Sequence, residues 1–98
     1  MDRETITATI QKAAPELRAA GIEALYLFGS QSRGDAKAKS DIDLTFDVVS
    51  GSRFNLLDQG RLQMRLQGLL ERKVDFVSRD GMRPKMRARV DSEMVRIL

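Results

Sequence analysis

The chain contains no cysteine and no histidine. Without cysteine there is no disulfide framework, no thiolate zinc site and no cysteine nucleophile. Without histidine, Ser-His-Asp catalysis, imidazole metal ligands and the usual general base near pH 7 are excluded as well. Aromatic character is limited to Tyr26 and four phenylalanines, most of them in core-like runs, so a stacking platform for single-stranded nucleic acid is not expected. No apolar run is long enough to span a membrane. The opening Met1-Asp2-Arg3-Glu4 leads into a polar helical pattern rather than a signal-peptide core, so a cytoplasmic protein is expected. Any chemistry must run on carboxylates, hydroxyls, backbone amides, lysine and arginine.

What is present suits one folded domain over residues 1–98, with 42% hydrophobic and 32% charged residues and no repeat, linker or low-complexity tract. The net charge of +3 is a mild surplus. It fits an anionic ligand such as a nucleotide or RNA, and it fits plain solubility.

Ile6, Ile10, Ala13, Ala14 and Leu17 recur at helical spacing and predict a helix from about Arg3 to Ala20, kinked or split at Pro15 and stopped at Gly21. Ile22 to Phe28 reads as a short buried strand, and residues 29–40 as a polar loop. Asp41 to Val49 alternates acidic or polar with apolar residues, which predicts a strand with two different faces. A helix over Phe54 to Leu70 follows, with Leu62, Leu66, Leu69 and Leu70 on one stripe and with Gly60 and Gly68 weakening its middle. Val74 to Val77 reads as a third strand. After a turn over Ser78 to Arg83, Pro84 suits the first turn of a last helix carrying Met86, Val90, Met94 and Ile97 as a core stripe. The order helix, strand, strand, helix, strand, helix predicts an α+β fold, a small mixed sheet of about three to four strands flanked by helices.

Three carboxylates stand out by position. Asp41 and Asp43 are two apart on one strand, so both side chains share a face while Ile42, Leu44 and Phe46 take the other. Their Cα atoms are expected roughly 6.8 Å apart, a spacing that lets two carboxylates converge on one divalent ion or an ion pair. Mg²⁺ fits best, because only hard oxygen ligands are available. Asp75 can join that face if the third strand pairs beside the second, and it is a candidate to remove a proton from an attacking hydroxyl. Gly29-Ser30 ends the first strand in a tight turn whose amides and hydroxyl can cradle phosphate oxygens. Arg33 is placed to balance negative charge.

Leu27 to Phe46 (LFGSQSRGDAKAKSDIDLTF) resembles the signature of the DNA polymerase β-like nucleotidyltransferase superfamily, and Lys73 to Val77 (KVDFV) resembles its third-carboxylate strand. The short chain and its leucine-rich helix are similar to the minimal nucleotidyltransferases, or MNT domains. Gly29, Ser30, Arg33, Gly34, Ser40, Asp41, Asp43 and Asp75 all match. The resemblance implies transfer of AMP from ATP to an acceptor hydroxyl. Asp41, Asp43 and Asp75 would hold Mg²⁺, with Asp75 as ligand or base, while Gly29, Ser30, Arg33 and Ser40 would bind the nucleotide. It also implies a partner, a helical HEPN-domain ribonuclease toxin modified on a tyrosine, with this chain as antitoxin.

Simpler readings stand beside these. Asp35 is a loop charge, and Asp47 lies toward the far end of its strand. The basic stretch Arg79, Arg83, Lys85, Arg87 and Arg89 reads either as a solvated helix face or as a contact for an acidic partner, RNA or phosphates. The alternative functions are an antitoxin that neutralises its partner by masking alone, and a basic RNA-binding domain in which the acidic strand is incidental.

Overall fold

The computed structural model describes residues 2–29 and 41–98. The chain begins with α1 (Arg3–Gln11), whose first turn is capped by the Asp2 carboxylate accepting from the Thr5 N–H at 2.8 Å. That hydrogen bond holds the Asp2 carboxyl below the usual carboxylate range. Ile6 and Ile10 form its buried stripe. The helix predicted through Ala20 is split: α2 (Ala14–Ala20) is separate, with Pro15 in its first turn, where a missing N–H removes no helical hydrogen bond. Gly21 then ends α2 at φ 112°, a left-handed conformation that suits glycine.

The sheet has four strands in the order β3-β2-β1-β4, namely β1 (Ile22–Phe28), β2 (Ile42–Val48), β3 (Val74–Ser78) and β4 (Val95–Arg96). β1 and β2 are antiparallel, with Leu25 opposite Phe46 and Phe28 opposite Asp43. β2 and β3 are parallel. A parallel neighbour needs a crossover, and α3 (Leu56–Leu70) supplies it. α3 starts two residues later than Phe54 because Asn55 and Asp58 form a reciprocal capping box, with N···O distances of 3.0 and 3.1 Å.

One face of the sheet carries the main core. Ile42, Leu44, Phe46, Val74 and Phe76 pack there against Ile6, Ile10, Leu17, Leu62, Leu66 and Leu70. Phe46 stacks on Phe76 at 4.4 Å between ring centroids. α3 also covers the outer edge of β3. Gln59 and Gln63 donate to the Phe76 and Val74 carbonyls at 3.0 and 2.8 Å, and Gln67 accepts from the Val74 N–H at 3.1 Å. Three glutamines spaced by four residues thus satisfy backbone groups that an edge strand would leave open.

The last helix departs from expectation. α4 (Pro84–Glu93) stops before Met94, which is extended, and Val95–Arg96 becomes β4. The reason is the free edge of β1. Leu25 O accepts from the Ile97 N–H at 2.7 Å, and Leu27 and Tyr26 pair with Val95 and Arg96. The expected core stripe is therefore broken: Val90 and Ile97 are buried, but Met86 is 42% exposed and Met94 is half-buried beyond the helix. Among the described residues, no helix is long and apolar enough to cross a membrane.

Candidate functional site

Asp41 immediately precedes β2, Asp43 lies at its start and Asp75 at the start of β3. Because β2 and β3 run parallel in a register that pairs Ile42 with Val74, Asp43 stands directly beside Asp75. Neighbouring strands are about 4.8 Å apart, so the two carboxylates share one face and one patch of solvent. Asp41 precedes the pair and is exposed, as is Asp75, while Asp43 is half-buried. Ile42, Leu44 and Phe46 point into the core, as the alternation predicted.

Gly29 completes this end of the sheet. It follows β1 at φ 73°, and a Cβ there would collide with the Asp43 carboxylate, whose Cγ lies 3.2 Å from the Cβ position. Only a residue without a side chain lets the turn and Asp43 approach so closely. Its N–H donates to Glu93 Oε1 at 3.3 Å. Ser30, Arg33, Gly34 and Ser40, the remaining predicted nucleotide contacts, lie outside the described residues.

The donor set suits a hard divalent cation. All candidate ligands are carboxylates, two of them on adjacent strands in register and the third, Asp41, just before the first of those strands. No group of three or more such side chains among the described residues forms a metal-binding cluster by itself. Mg²⁺ is commonly held by one or two carboxylates, with substrate phosphates and water completing its octahedron, and the register pair Asp43–Asp75 with Asp41 beside it fits that mode.

The other end of the same face is built differently. Asp47 accepts from Arg79 Nε at 2.9 Å and Nη2 at 3.0 Å, a two-point fork, and from the Tyr26 hydroxyl at 3.0 Å. Arg79 also reaches Asp91 of α4 at 3.3 Å and lies 5.4 Å over the Tyr26 ring. Burial raises the Asp47 carboxyl, but the hydrogen bonds from Arg79 and Tyr26 outweigh it and hold the group below the usual carboxylate range. The same bond to Asp47 raises Arg79. Burial, then the bond to Asp47, raises Tyr26. Arg79 is therefore no part of a solvated basic helix face. Arg87 pairs with Asp80 at 3.2 Å, while Arg83, Lys85 and Arg89 are exposed and make no ion pair among the described residues. Sequence reasoning missed Glu93 and the Asp47–Arg79–Asp91 connection, because each joins residues far apart in the chain.

A turn glycine against a strand carboxylate, with a second carboxylate in register on a parallel neighbour, is an arrangement that can take a divalent cation together with phosphate oxygens. The sequence profile of the polymerase β nucleotidyltransferase family matches residues 5–98, and the chain belongs to that family. It is accordingly a nucleotidyltransferase. Its relatives include a candidate protein adenylyltransferase of Methanocaldococcus jannaschii, 32% identical over 88 residues that span 90% of this chain and 92% of that protein. A solved candidate minimal nucleotidyltransferase superposes with a TM-score of 0.82 at 37% identity, over 97% of this chain and 95% of the other. The complex of a tri-AMPylated HEPN toxin with an MNT antitoxin from Shewanella oneidensis contains a chain that matches with a TM-score of 0.69 at 20% identity, over 95% of this chain and 71% of that one. At that identity the likeness is one of fold.

Proposed function

We propose that this chain transfers AMP from ATP, with Mg²⁺, to a tyrosine hydroxyl of a HEPN-domain partner and thereby acts as its antitoxin. The observation that carries the reading is the register pairing of Asp43 with Asp75 beside Gly29. Support for the acceptor comes from the relatives: one is described as a candidate protein adenylyltransferase, and another sits in a complex whose HEPN toxin carries AMP.

In this reading Asp41, Asp43 and Asp75 hold the metal, which when bound would neutralise charge on the α-phosphate and orient it. The Gly29 amide and Ser30 receive triphosphate oxygens, with Arg33 and Ser40 as further nucleotide contacts. The acceptor oxygen attacks the α-phosphorus in line. The new O–P bond forms as the bond from the α-phosphorus to the α–β bridging oxygen breaks, and pyrophosphate leaves with that electron pair. The acceptor's proton needs a base, and with no histidine in the chain a carboxylate takes it; Asp75 serves either as that base or as the third metal ligand.

The test is transfer of label from α-labelled ATP, with Mg²⁺, to the product of the neighbouring gene, by wild type and by the Asp41→Ala/Asp43→Ala double variant. Labelled partner with wild type and none with the variant is the expected result. A stable, neutralised complex without label from either protein would sink transfer to that acceptor and leave masking as the antitoxin mechanism.

A further inference from the structure

α4 lies against the sheet face that carries the carboxylates: its Asp91 holds Arg79, which forks onto Asp47 of that face. Beside β3 the cover is incomplete and leaves two adjoining clefts of about 450 and 640 Å³ that share Arg83 and Met86. Val77 and Met82 line the first, and Lys85 and Arg89 the second. Val77 is two residues beyond Asp75 on the same face of β3, roughly 6.8 Å along the strand. The clefts therefore begin within two extended residues of the candidate metal site.

Their floor and rim differ in chemistry. The floor holds apolar side chains, among them Met86, a flexible one that is 42% exposed. The rim is of one sign. Arg83, Lys85 and Arg89 are exposed and make no ion pair among the described residues, whereas Arg87 pairs with Asp80. Arg83 and Lys85 also stand at the N-terminus of α4, where the macrodipole is itself positive and no acidic residue shares the first turn. Lys85 and Arg89, four residues apart, place like charge on one side of the helix. Such a rim complements carboxylates. RNA fits less well, because no aromatic ring among the described residues lines the clefts for a base to stack on.

We infer that these clefts dock the acceptor protein through an acidic segment. An apolar side chain of that segment seats on Met82 and Met86, and its carboxylates meet Arg83, Lys85 and Arg89. This rests on the reading of the chain as an adenylyltransferase that acts on a protein. The contact brings the acceptor hydroxyl to Asp43 and Asp75, so it sets KM for the acceptor and does not touch the nucleotide.

Kinetics of label transfer from α-labelled ATP to the product of the neighbouring gene test the proposal, using wild type, Arg83→Glu/Lys85→Glu/Arg89→Glu and Met86→Asp. Calorimetric binding of the same protein is the second readout. The triple variant should raise KM for the acceptor about tenfold or more, with kcat and KM for ATP within about twofold of wild type. Met86→Asp should weaken acceptor binding too, because it sets a carboxylate against an acidic segment. Added salt should raise the wild-type acceptor KM and change that of the triple variant little. An unchanged acceptor KM in the triple variant would overturn the proposal. So would an equal rise in KM for ATP, which would place the cations on the nucleotide. RNA binding that the triple variant loses, with acceptor KM unchanged, would assign the surface to RNA instead. If wild type binds the protein without labelling it, the transfer reading fails alone: weaker binding by the triple variant would still support the docking site, and equal binding would overturn it. Wild type that neither binds nor labels that protein would overturn both.

Discussion

Asp43 and Asp47 are four residues apart on the same face of the same strand, yet the protein treats them in opposite ways. Asp47 is enclosed by a forked arginine and a tyrosine hydroxyl, and that arginine continues to α4. Asp43 is set beside another carboxylate, Asp75, across a parallel register. Asp41 and Asp75 make no ion pair among the described residues. Like charges side by side on adjacent strands are destabilising unless a cation joins them. The closed end carries a countercharge in Arg79, whereas at the open end the proposed metal would supply one. Residue type and strand face are the same at both ends, and the neighbours differ.

Exchanging charge for alanine at the open end should therefore abolish function and spare the fold. Asp43→Ala is expected to lower AMP transfer about 10³-fold or more, since several kcal/mol of charge stabilisation at the phosphate would go with it. The melting temperature should stay close to wild type or rise slightly as the repulsion from Asp75 is relieved. Initial rates with labelled ATP alongside thermal unfolding check both halves. A variant that keeps its rate would end the role assigned to Asp43.

Gly29→Ala should come next in size. The added methyl meets the Asp43 carboxylate and sits at φ 73°, so the turn and the carboxylate cannot both keep their positions. A displacement on the order of 1 Å costs about 10²-fold in rate, and left-handed backbone adds about 1–2 kcal/mol of destabilisation. The signature is a loss of rate larger than the loss of stability explains.

The closed end predicts the converse. Asp47→Asn should destabilise by about 1.5–3 kcal/mol, the range for hydrogen bonds to charged groups, while transfer persists below the melting transition. The pH dependence has a definite sign. A carboxyl whose folded pKa is depressed contributes fully above its unfolded value, about 3.9, and loses that contribution as pH falls through the folded value. The stability gap between wild type and Asp47→Asn should be flat near neutrality and close only below about pH 4. A gap that closed around pH 6 would remove Asp47 as its source.

The open end was legible in the sequence because its signals are local: a glycine at a strand end, an Asp-x-Asp alternation, and an acid flanked by valine and phenylalanine. Pro15 likewise marked the break between α1 and α2. What escaped was long-range. β4 is two residues long, too short to show a period, and it exists because the edge of β1 needs partners. A helical pattern over Met86, Val90, Met94 and Ile97 could not reveal that competition. Arg79 looked like one of five scattered cations until the fold placed it on Asp47, and Glu93 carried no signal because the Gly29 amide it accepts from lies 64 positions away.

Between the two ends lies Thr45, on the same face as Asp43 and Asp47. It is fully buried, and among the described residues its hydroxyl has no hydrogen-bond partner. Burying an unsatisfied hydroxyl costs about 1–3 kcal/mol, and this position belongs neither to the Asp47 clamp nor to the register pair Asp43–Asp75. Valine has nearly the same shape, favours strands, and brings no polar atom. Thr45→Val should therefore stabilise by about 1 kcal/mol, the smallest effect predicted, and leave transfer unchanged. A shift of the denaturant midpoint without a change in slope would measure it. Destabilisation instead would mean that the hydroxyl has work to do between the clamp and the carboxylates, and the division of β2 into two independent ends would fail.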